Sequence, residues 1–223
     1  MHKKSFVIRS FVRRQGRFTK GQREAIKNFW PTYGIELTSN EINLENVFNN
    51  KQPTILDIGF GNGEALAELG KSHPHLNFLG IEVYQPGIGS LLKRIKEKKL
   101  NNIRVVNGDV NDLLKQSIAV NSFISVLIWF PDPWHKKRHH KRRLIKTEFL
   151  KLLETKLMCE GELYIVTDWQ PYADHIYSVL ENYNSFKRVA ESKFIKLRPT
   201  TKFERRGNKL GHGVYSFIYR RNY

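Results

Sequence analysis

The chain has 223 residues, a hydrophobic fraction of 40% and a formal net charge of +17 at pH 7. This size suits one sizeable α/β domain with a packed core, and the single cysteine, Cys159, excludes an intramolecular disulfide and a cysteine-rich metal site. Such a charge opposes folding by self-repulsion and therefore indicates a polyanionic partner, whereas no run of about 18 apolar residues is present to span a membrane.

The N-terminal residues 1–30 carry nine lysines and arginines and few acids. We predict that they form a mobile basic arm that orders on nucleic acid, followed by a single domain over residues 31–223. A disordered solubilising tail is the alternative for the first ten residues. The arm lacks the long apolar core of a signal peptide, so we expect a cytoplasmic protein.

From Pro53 onward, short apolar runs alternate with amphipathic stretches. The runs at 54–59, 77–83, 103–106, 123–129 and 163–167 predict strands, and 64–71, 88–99, 112–116, 145–156 and 171–182 predict helices. This alternation predicts an α/β fold with a doubly wound, mostly parallel sheet. Residues 186–194 and 214–219 predict a C-terminal antiparallel strand pair, and the connecting residues 198–213 are a candidate functional loop.

The first predicted strand leads into the glycine turn Gly59-Phe60-Gly61-Asn62-Gly63. Its G-x-G-x-G spacing, with Glu64 at the following helix start, disfavours a diphosphate ligand. Asp57, Glu82 and Asp109 stand at the ends of three successive strands. Each acid alone is as readily a helix cap or a turn residue. Together they favour S-adenosylmethionine, with Asp57 near its ammonium, Glu82 at the ribose hydroxyls and Asp109 near the adenine amine.

The stretch Phe130–Arg143 follows the strand at 123–129 and begins with Pro131-Asp132-Pro133. The prolines stop the strand and hold Asp132 at its carboxyl end, where ligands bind in open α/β sheets. Six cationic residues follow within eight positions, which suggests chemistry on a polyanion. The alternatives are an ordinary turn and a solvated basic face. The histidines of this stretch lack cysteine or carboxylate companions, so we expect no metal there.

Several motifs resemble the tRNA (guanine-N7-)-methyltransferase family in order and spacing, from about Arg9 to the C-terminus. They are Ile55-Leu56-Asp57-Ile58-Gly59-Phe60-Gly61-Asn62-Gly63, Gly80-Ile81-Glu82-Val83, Phe130-Pro131-Asp132-Pro133-Trp134-His135-Lys136, Thr167-Asp168-Trp169, and Thr201-Lys202-Phe203-Glu204-Arg205-Arg206-Gly207 with Gly211-His212-Gly213. The first motif alone would indicate only a methyltransferase. The Pro-Asp-Pro-Trp-His-Lys and Thr-Lys-Phe-Glu motifs are far more specific.

The resemblance implies a Rossmann-like class I methyltransferase fold and methylation of guanine N7 in tRNA, usually at position 46 of the variable loop. It implies that the methyl donor S-adenosylmethionine is bound by Asp57, Gly59, Gly61, Gly63, Glu82, Asp109 and Asp132. It implies a guanine site at Lys136, Asp168, Thr201, Lys202, Phe203 and Glu204, and RNA contacts at Arg138, His139, His140, Lys141, Arg142 and Arg143. Many members carry Glu where Asp57 stands, and the shorter acid could reach the ligand through water.

The chemistry of guanine N7 limits what the protein must supply. N7 has an in-plane lone pair and carries no proton, so no strong general base is needed, and alignment and electrostatics remain. We therefore assign Asp132 as the catalytic residue that orients the reactants and stabilises the positive charge developing on the purine. Glu204 or Asp168 matches the donors of the guanine edge, and Lys136 matches O6. The resemblance implies tRNA as the partner, and we expect a monomer or a homodimer.

Two other functions remain open from the residues. Asp-Pro-Trp loosely resembles the Asp-Pro-Pro-aromatic loop of amino-group methyltransferases, although the Pro-Asp-Pro order and the Thr201–Glu204 motif disfavour that target. A non-catalytic RNA-binding module on the same fold is the alternative from a different class, and it would not bind S-adenosylmethionine.

Overall fold

The computed structural model describes residues 9–11, 16–194, 199, 204 and 213–222. In chain order these residues form α1 (Lys20–Tyr33), β1 (Gly34–Ile35), α2 (Leu44–Phe48), β2 (Thr54–Ile58), α3 (Glu64–Ser72), β3 (Asn77–Glu82), α4 (Gln85–Glu97), β4 (Ile103–Asn107), α5 (Val110–Gln116), β5 (Phe123–Trp129), a 3₁₀ helix (Lys137–Arg142), α6 (Thr147–Lys156), β6 (Leu157–Thr167), α7 (Gln170–Glu181), β7 (Phe186–Arg188) and β8 (Tyr215–Arg221). Strands and helices alternate, as predicted.

The strands form one eight-stranded sheet in the order β1-β4-β3-β2-β5-β6-β8-β7. Neighbours from β1 to β6 pair in parallel, whereas β8 is antiparallel to β6 and to β7. This confirms the α/β fold with a mostly parallel sheet and a C-terminal antiparallel pair. The chain order reverses beside β2, and ligands of such sheets bind at that point, outside the carboxyl ends of the strands.

Helices cover both faces of the sheet, and two hydrophobic clusters fill the space beneath them. Successive strand residues point to opposite faces, so Leu56 and Ile58 of β2 belong to one cluster and Ile55 to the other. The first cluster includes residues of α5, α6 and α7, and the second includes residues of α1, α3 and α4. All five residues of β2 are buried, so this central strand holds its carboxyl end in a fixed place.

The N-terminal region departs from the predicted mobile arm, which is wrong for residues 20–30. Helix α1 begins at Lys20 with a capping box, in which Thr19 Oγ1 accepts from the Gln22 amide (3.3 Å) and the Thr19 amide donates to Gln22 Oε1 (2.9 Å). Gln22 also bonds Ser90 of α4 (2.9 Å), and Ala25 is buried. The Thr-x-x-Gln spacing is a sequence signal for this helix start. The helix therefore packs as part of the domain.

Two predicted strands have different lengths in the structure. Strand β6 begins at Leu157 rather than 163, because the chain crosses Glu160, at a left-handed φ of 61°, and Gly161 without leaving the sheet. Strand β7 ends at Arg188 rather than 194. Helices α1 and α2 and strand β1 lie before the first strand that the sequence predicts. In the described part of the chain, no helix has both the length and the apolar character needed to cross a bilayer.

Candidate active site

A cavity of about 1120 Å³ opens at the carboxyl ends of β2, β3, β4 and β5. Six of the seven residues predicted to hold the methyl donor line it, namely Asp57, Gly59, Gly61, Glu82, Asp109 and Asp132. The segment before α1 also contributes, through Arg9, Ser10, Phe11, Gly16 and Phe18. The topology thus brings acids from four separate stretches of sequence to one space.

The glycine turn forms one wall of the cavity, because its backbone adopts the left-handed region. Gly59 and Gly61 have φ of 75° and 60°, and the Gly59 amide donates to the Ile81 carbonyl of β3 (2.8 Å). A Cβ added to Gly59 would meet nothing within 4 Å, so this position faces open space. Gly63 differs from the prediction. It does not line the cavity, and a Cβ there would lie 2.5 Å from Leu91 Cβ, so this glycine lets α3 and α4 pack closely.

The Glu82 carboxylate is fixed by three backbone donors at the end of β3. Its Oε2 accepts from the Gly61 amide (2.9 Å), and its Oε1 accepts from the amides of Val83 (2.7 Å) and Tyr84 (3.0 Å). Burial raises the pKa of Glu82, the three backbone hydrogen bonds oppose that rise, and the nearby charge of Asp132 adds to it. Glu82 therefore links the glycine turn to β3 and presents a carboxylate that is already oriented.

Asp57 lies on β2 beneath the cavity and is only 3% exposed. Burial, and secondarily the charge of Glu82, raises the pKa of Asp57 to about 7. Two carboxyl groups that disfavour each other's ionisation make the cavity a poor site for an anion and a good one for a cation.

Asp109 has two roles that the sequence left as alternatives. It is the N-cap of α5, where its Oδ1 accepts from the Asn111 amide (2.9 Å) and from Asn111 Nδ2 (3.0 Å). It also lines the cavity. The cap holds the carboxylate at the end of β4, so capping the helix and facing the cavity are compatible.

Asp132 is exposed at the cavity, on a loop with an unusual backbone. Phe130 and Trp134 flank the Pro131-Asp132-Pro133 segment with φ of 55° and 52°, in a region that non-glycine residues rarely adopt. Trp134 Nε1 donates to the Ser10 carbonyl (3.1 Å), which ties the N-terminal segment to this loop. Such conformations persist only where the surrounding structure holds them.

Of the six residues predicted for the guanine site, the structure describes three, which are Lys136, Asp168 and Glu204. Asp168 is half-buried just after β6, beside the Asp132 loop, because β5 and β6 are neighbours with Trp129 opposite Val166. Lys136 is exposed before the 3₁₀ helix, and Glu204 is half-buried. None of the three lines the cavity. Thr201, Lys202 and Phe203 lie outside the described residues.

Five of the six residues of the predicted RNA-binding run, all but Arg143, lie in the 3₁₀ helix, whose surface is cationic. Arg138 and Lys141 are exposed, while His139 and Arg142 contact the Trp134 ring at 5.8 Å and 5.2 Å between centres. His140 is half-buried. Within the described ranges, no cluster of three or more His, Cys, Asp or Glu side chains could hold a metal ion.

Arg143 contradicts the prediction that it contacts RNA. Its side chain is 3% exposed, its Nε donates to the Pro133 carbonyl (3.0 Å), and its guanidinium lies 4.9 Å from the centre of the Tyr172 ring. A buried guanidinium with these contacts cannot reach a phosphate. The local sequence carries no signal of this burial, because Arg143 is one more basic residue in a basic run.

A buried carboxylate that is absent from the predicted site residues lies on β6. Glu162 is 0% exposed and accepts from Ser192 Oγ (2.6 Å), the Lys193 amide (3.0 Å) and Arg220 Nη2 (3.1 Å). It thereby holds residues on both sides of the predicted functional loop at 198–213. The sequence signal that could have identified it is its position directly before the apolar run at 163–167, where an acid is drawn into the sheet.

Comparison with known proteins agrees with this geometry. Residues 51–217 match the family model described as "Putative methyltransferase". The chain is 47% identical over 215 residues to the tRNA (guanine-N(7)-)-methyltransferase of Nitrosococcus oceani, covering 96% of this chain and 91% of that protein. It is 43% identical over 218 residues to the protein of the same name in Escherichia coli strain K12, with the same coverage of 96% and 91%.

Solved structures with little sequence identity share the fold. The 16S rRNA methyltransferase KamB superposes with a TM-score of 0.58 at 11% identity, over 80% of this chain and 92% of that one. The aminoglycoside resistance methyltransferase NpmB1 gives 0.54 at 19% identity, over 80% and 91%. With relatives above 40% identity across nearly its whole length, this chain belongs to the tRNA (guanine-N7-)-methyltransferase family.

Proposed function

We propose that this protein transfers a methyl group from S-adenosylmethionine to N7 of guanine 46 in the variable loop of tRNA, giving N7-methylguanosine in the cytoplasm. One observation carries the proposal. Carboxylates at the ends of four parallel strands line a single cavity in a protein whose net charge is +17. An acidic cavity suits a cationic small molecule, and a basic surface suits a nucleic acid. The names of the relatives are consistent with both.

The residues of the cavity fit S-adenosylmethionine. When bound, this donor supplies a methyl group on a positively charged sulfur. Asp57 would face its cationic amino acid end, Glu82 would accept from the ribose hydroxyls, and Asp109 would lie near the adenine amine. Gly59 leaves its backbone open to close approach. Because Asp57 and Glu82 resist ionisation together, a cation between them would lower the pKa of both.

Asp132 would act as the catalytic residue at the junction of the donor and the base. Guanine N7 needs no proton removed, so the protein's contribution is alignment and charge stabilisation. Methyl transfer places positive charge on the purine. A carboxylate beside it stabilises the transition state more than the uncharged base.

The basic surface would position the RNA. Arg138, His139, His140, Lys141 and Arg142 would contact phosphates, which provide affinity without reading sequence. Lys136, Asp168 and the residues Thr201, Lys202, Phe203 and Glu204 would recognise the splayed guanine. The location of Asp168 on the loop next to that of Asp132 supports this assignment.

The test is incubation of the protein with radiolabelled S-adenosylmethionine and an unmodified tRNA transcript, followed by chemical cleavage at N7-methylguanosine. We expect label in one nucleoside and cleavage at position 46, and neither in a matched transcript with adenine at that position. Label on an exocyclic amine would instead indicate an amino-group methyltransferase. RNA binding without any binding of S-adenosylmethionine would indicate a non-catalytic module.

A further inference from the structure

Arg143 is a buried cation beside the Asp132 loop, and its surroundings differ from those of the exposed cations Arg138 and Lys141 before it. Its guanidinium packs against the ring of Tyr172, and that ring is itself fully buried, at 0% exposure. Burial lowers the pKa of Arg143, so keeping the cation there costs free energy. The contacts of the guanidinium must therefore compensate for the cost of burying its charge.

Those contacts join three separate parts of the site. Arg143 Nε donates to the carbonyl of Pro133, the residue directly after Asp132 (3.0 Å). Its Nη1 donates to the carbonyl of Pro171, three residues after Asp168 (3.4 Å). Its Nη2 lies 3.2 Å from Nε2 of His140 in the 3₁₀ helix. One planar group with five N–H donors therefore joins the Asp132 loop, the first turn of α7 directly after Asp168, and the basic 3₁₀ helix.

The loop that carries Asp132 needs such a support. Phe130 and Trp134 hold left-handed backbone conformations, and these relax unless neighbouring contacts fix them. A separate contact joins the Asp132 loop to the acidic loop that carries Asp168, since the rings of His135 and Trp169 lie 4.4 Å apart, edge to face. The bond from Arg143 to Pro133 acts on the backbone immediately beside the carboxylate whose position matters for the reaction.

We propose that Arg143 is a positioning residue for methyl transfer: its guanidinium fixes the Asp132 loop against the first turn of α7, which follows Asp168, so that donor and guanine meet in line. This inference rests on the proposed function. Alignment is the main contribution left to the protein, and a misplacement of about 1 Å costs on the order of 100-fold in rate. Arg143 touches neither RNA nor donor in this role.

The test compares Arg143→Lys and Arg143→Gln with the parent in single-turnover methylation of tRNA. Lysine keeps the charge but is a single point donor that cannot span three acceptors. We expect both variants to lose on the order of 100-fold in the methyl-transfer rate at saturating substrates. We expect the S-adenosylmethionine Kd to stay within about twofold, and the salt dependence of tRNA binding to keep its slope, because a buried cation releases no counterions.

Arg104 offers a matched control that does not line the cavity. It is a second arginine that is partly buried at the start of β4, donates from Nε to the Val47 carbonyl (3.0 Å) and lies 5.2 Å from the centre of the Phe48 ring. Arg104→Lys removes similar interactions without touching either acidic loop. We expect it to lower Tm as Arg143→Lys does while leaving the methyl-transfer rate unchanged.

The outcomes separate the roles that Arg143 could have. An unchanged methyl-transfer rate in folded Arg143 variants overturns the inference. A retained rate with a flatter salt dependence of tRNA binding also overturns it, because that result would assign Arg143 a direct contact with an RNA phosphate. If neither variant folds, His140→Ala removes one acceptor from the surface side, and its rate is measured at saturating tRNA, so that loss of a phosphate contact by His140 does not itself lower the rate. A severalfold lower rate in it supports the inference, and a parental rate assigns Arg143 to stability alone. Failure of the parent to form N7-methylguanosine would instead refute the proposed function.

Discussion

Asp57 provides a direct test of the electrostatics of the cavity, through the substitution Asp57→Asn. Asparagine has nearly the same shape but cannot ionise. In the folded protein burial raises the pKa of Asp57 from 3.8 to about 7, whereas in the unfolded chain the carboxyl is solvated. The folded state therefore holds a proton that the unfolded state has released over this whole range of pH.

The size of the effect follows from the difference in pKa. Roughly three pH units between the folded and unfolded carboxyl correspond to at most about 4 kcal/mol of stability, at 1.36 kcal/mol per unit. The sign is fixed because the folded pKa is the higher one. The parent loses stability as pH rises from about 4 to 7, and the full cost is present above pH 7. Asp57→Asn does not lose stability in this way, because asparagine cannot ionise.

Thermal unfolding of both proteins between pH 4 and pH 8 measures the difference. We expect similar Tm values at pH 4, and a higher Tm for Asp57→Asn at pH 8 by up to about 8 to 16 °C, given 2–4 °C per kcal/mol for a chain of this size. Calorimetric titration should show that ligand affinity depends on pH with the opposite sign to the stability of the parent. S-adenosylmethionine should bind the parent more tightly at pH 8 than at pH 6, and the variant should show little dependence on pH.

Asp112→Asn serves as the control, because Asp112 lines the same cavity but is exposed to solvent. Because its side chain is exposed rather than buried, this variant should not gain the rise in Tm at pH 8 that Asp57→Asn gains. If Asp57→Asn were no more stable than the parent at pH 8, or if its advantage were the same at every pH, the account of Asp57 as a buried acid that awaits a cation would be wrong.

Three further predictions concern other groups of the site. Glu82→Gln replaces an acceptor of three backbone hydrogen bonds by a group that can accept at only one end, so it should cost about 1–3 kcal/mol in urea unfolding and weaken S-adenosylmethionine binding at least tenfold in calorimetry. Asp132→Ala should lose most of kcat in a methyl-transfer assay, while the S-adenosylmethionine Kd changes much less. Replacing Arg138 and Arg142 by Gln should weaken tRNA binding and reduce the log–log salt slope by about 0.7 to 0.9 for each phosphate that the variant no longer neutralises.

Each of these has a result that contradicts it. Unaltered ligand affinity in Glu82→Gln would separate that carboxylate from the methyl donor. A parental kcat in Asp132→Ala would leave Asp132 as a turn residue. An unchanged salt slope after removal of Arg138 and Arg142 would make the 3₁₀ helix an ordinary solvated surface. Lys151→Gln, at an exposed position on α6, is the matched control for the salt titration.

The fold could be predicted from the chain because its strongest signals are local. The apolar run at 123–129, the helical spacing of the stretch at 88–99 and the glycine turn each depend on neighbours in sequence, and the structure has the corresponding elements. The same local signals indicated the acids at the strand ends, since the carboxyl ends of parallel strands share one edge. Helix α1 was missed although its Thr19–Gln22 capping box is also local.

The amino acid sequence by itself determined the parallel sheet, the acidic edge and the basic run, because hydrophobic periodicity, proline and glycine act over a few residues. Only the tertiary structure decided that Arg143 turns inward while Arg138 stays exposed, that Gly63 packs against a helix rather than facing the cavity, and that Glu162 holds segments on both sides of the 198–213 loop. The physical reason is that burial and hydrogen bonding of a side chain depend on groups brought near it from distant positions in the chain. A run of like residues contains no information about which member those groups will enclose.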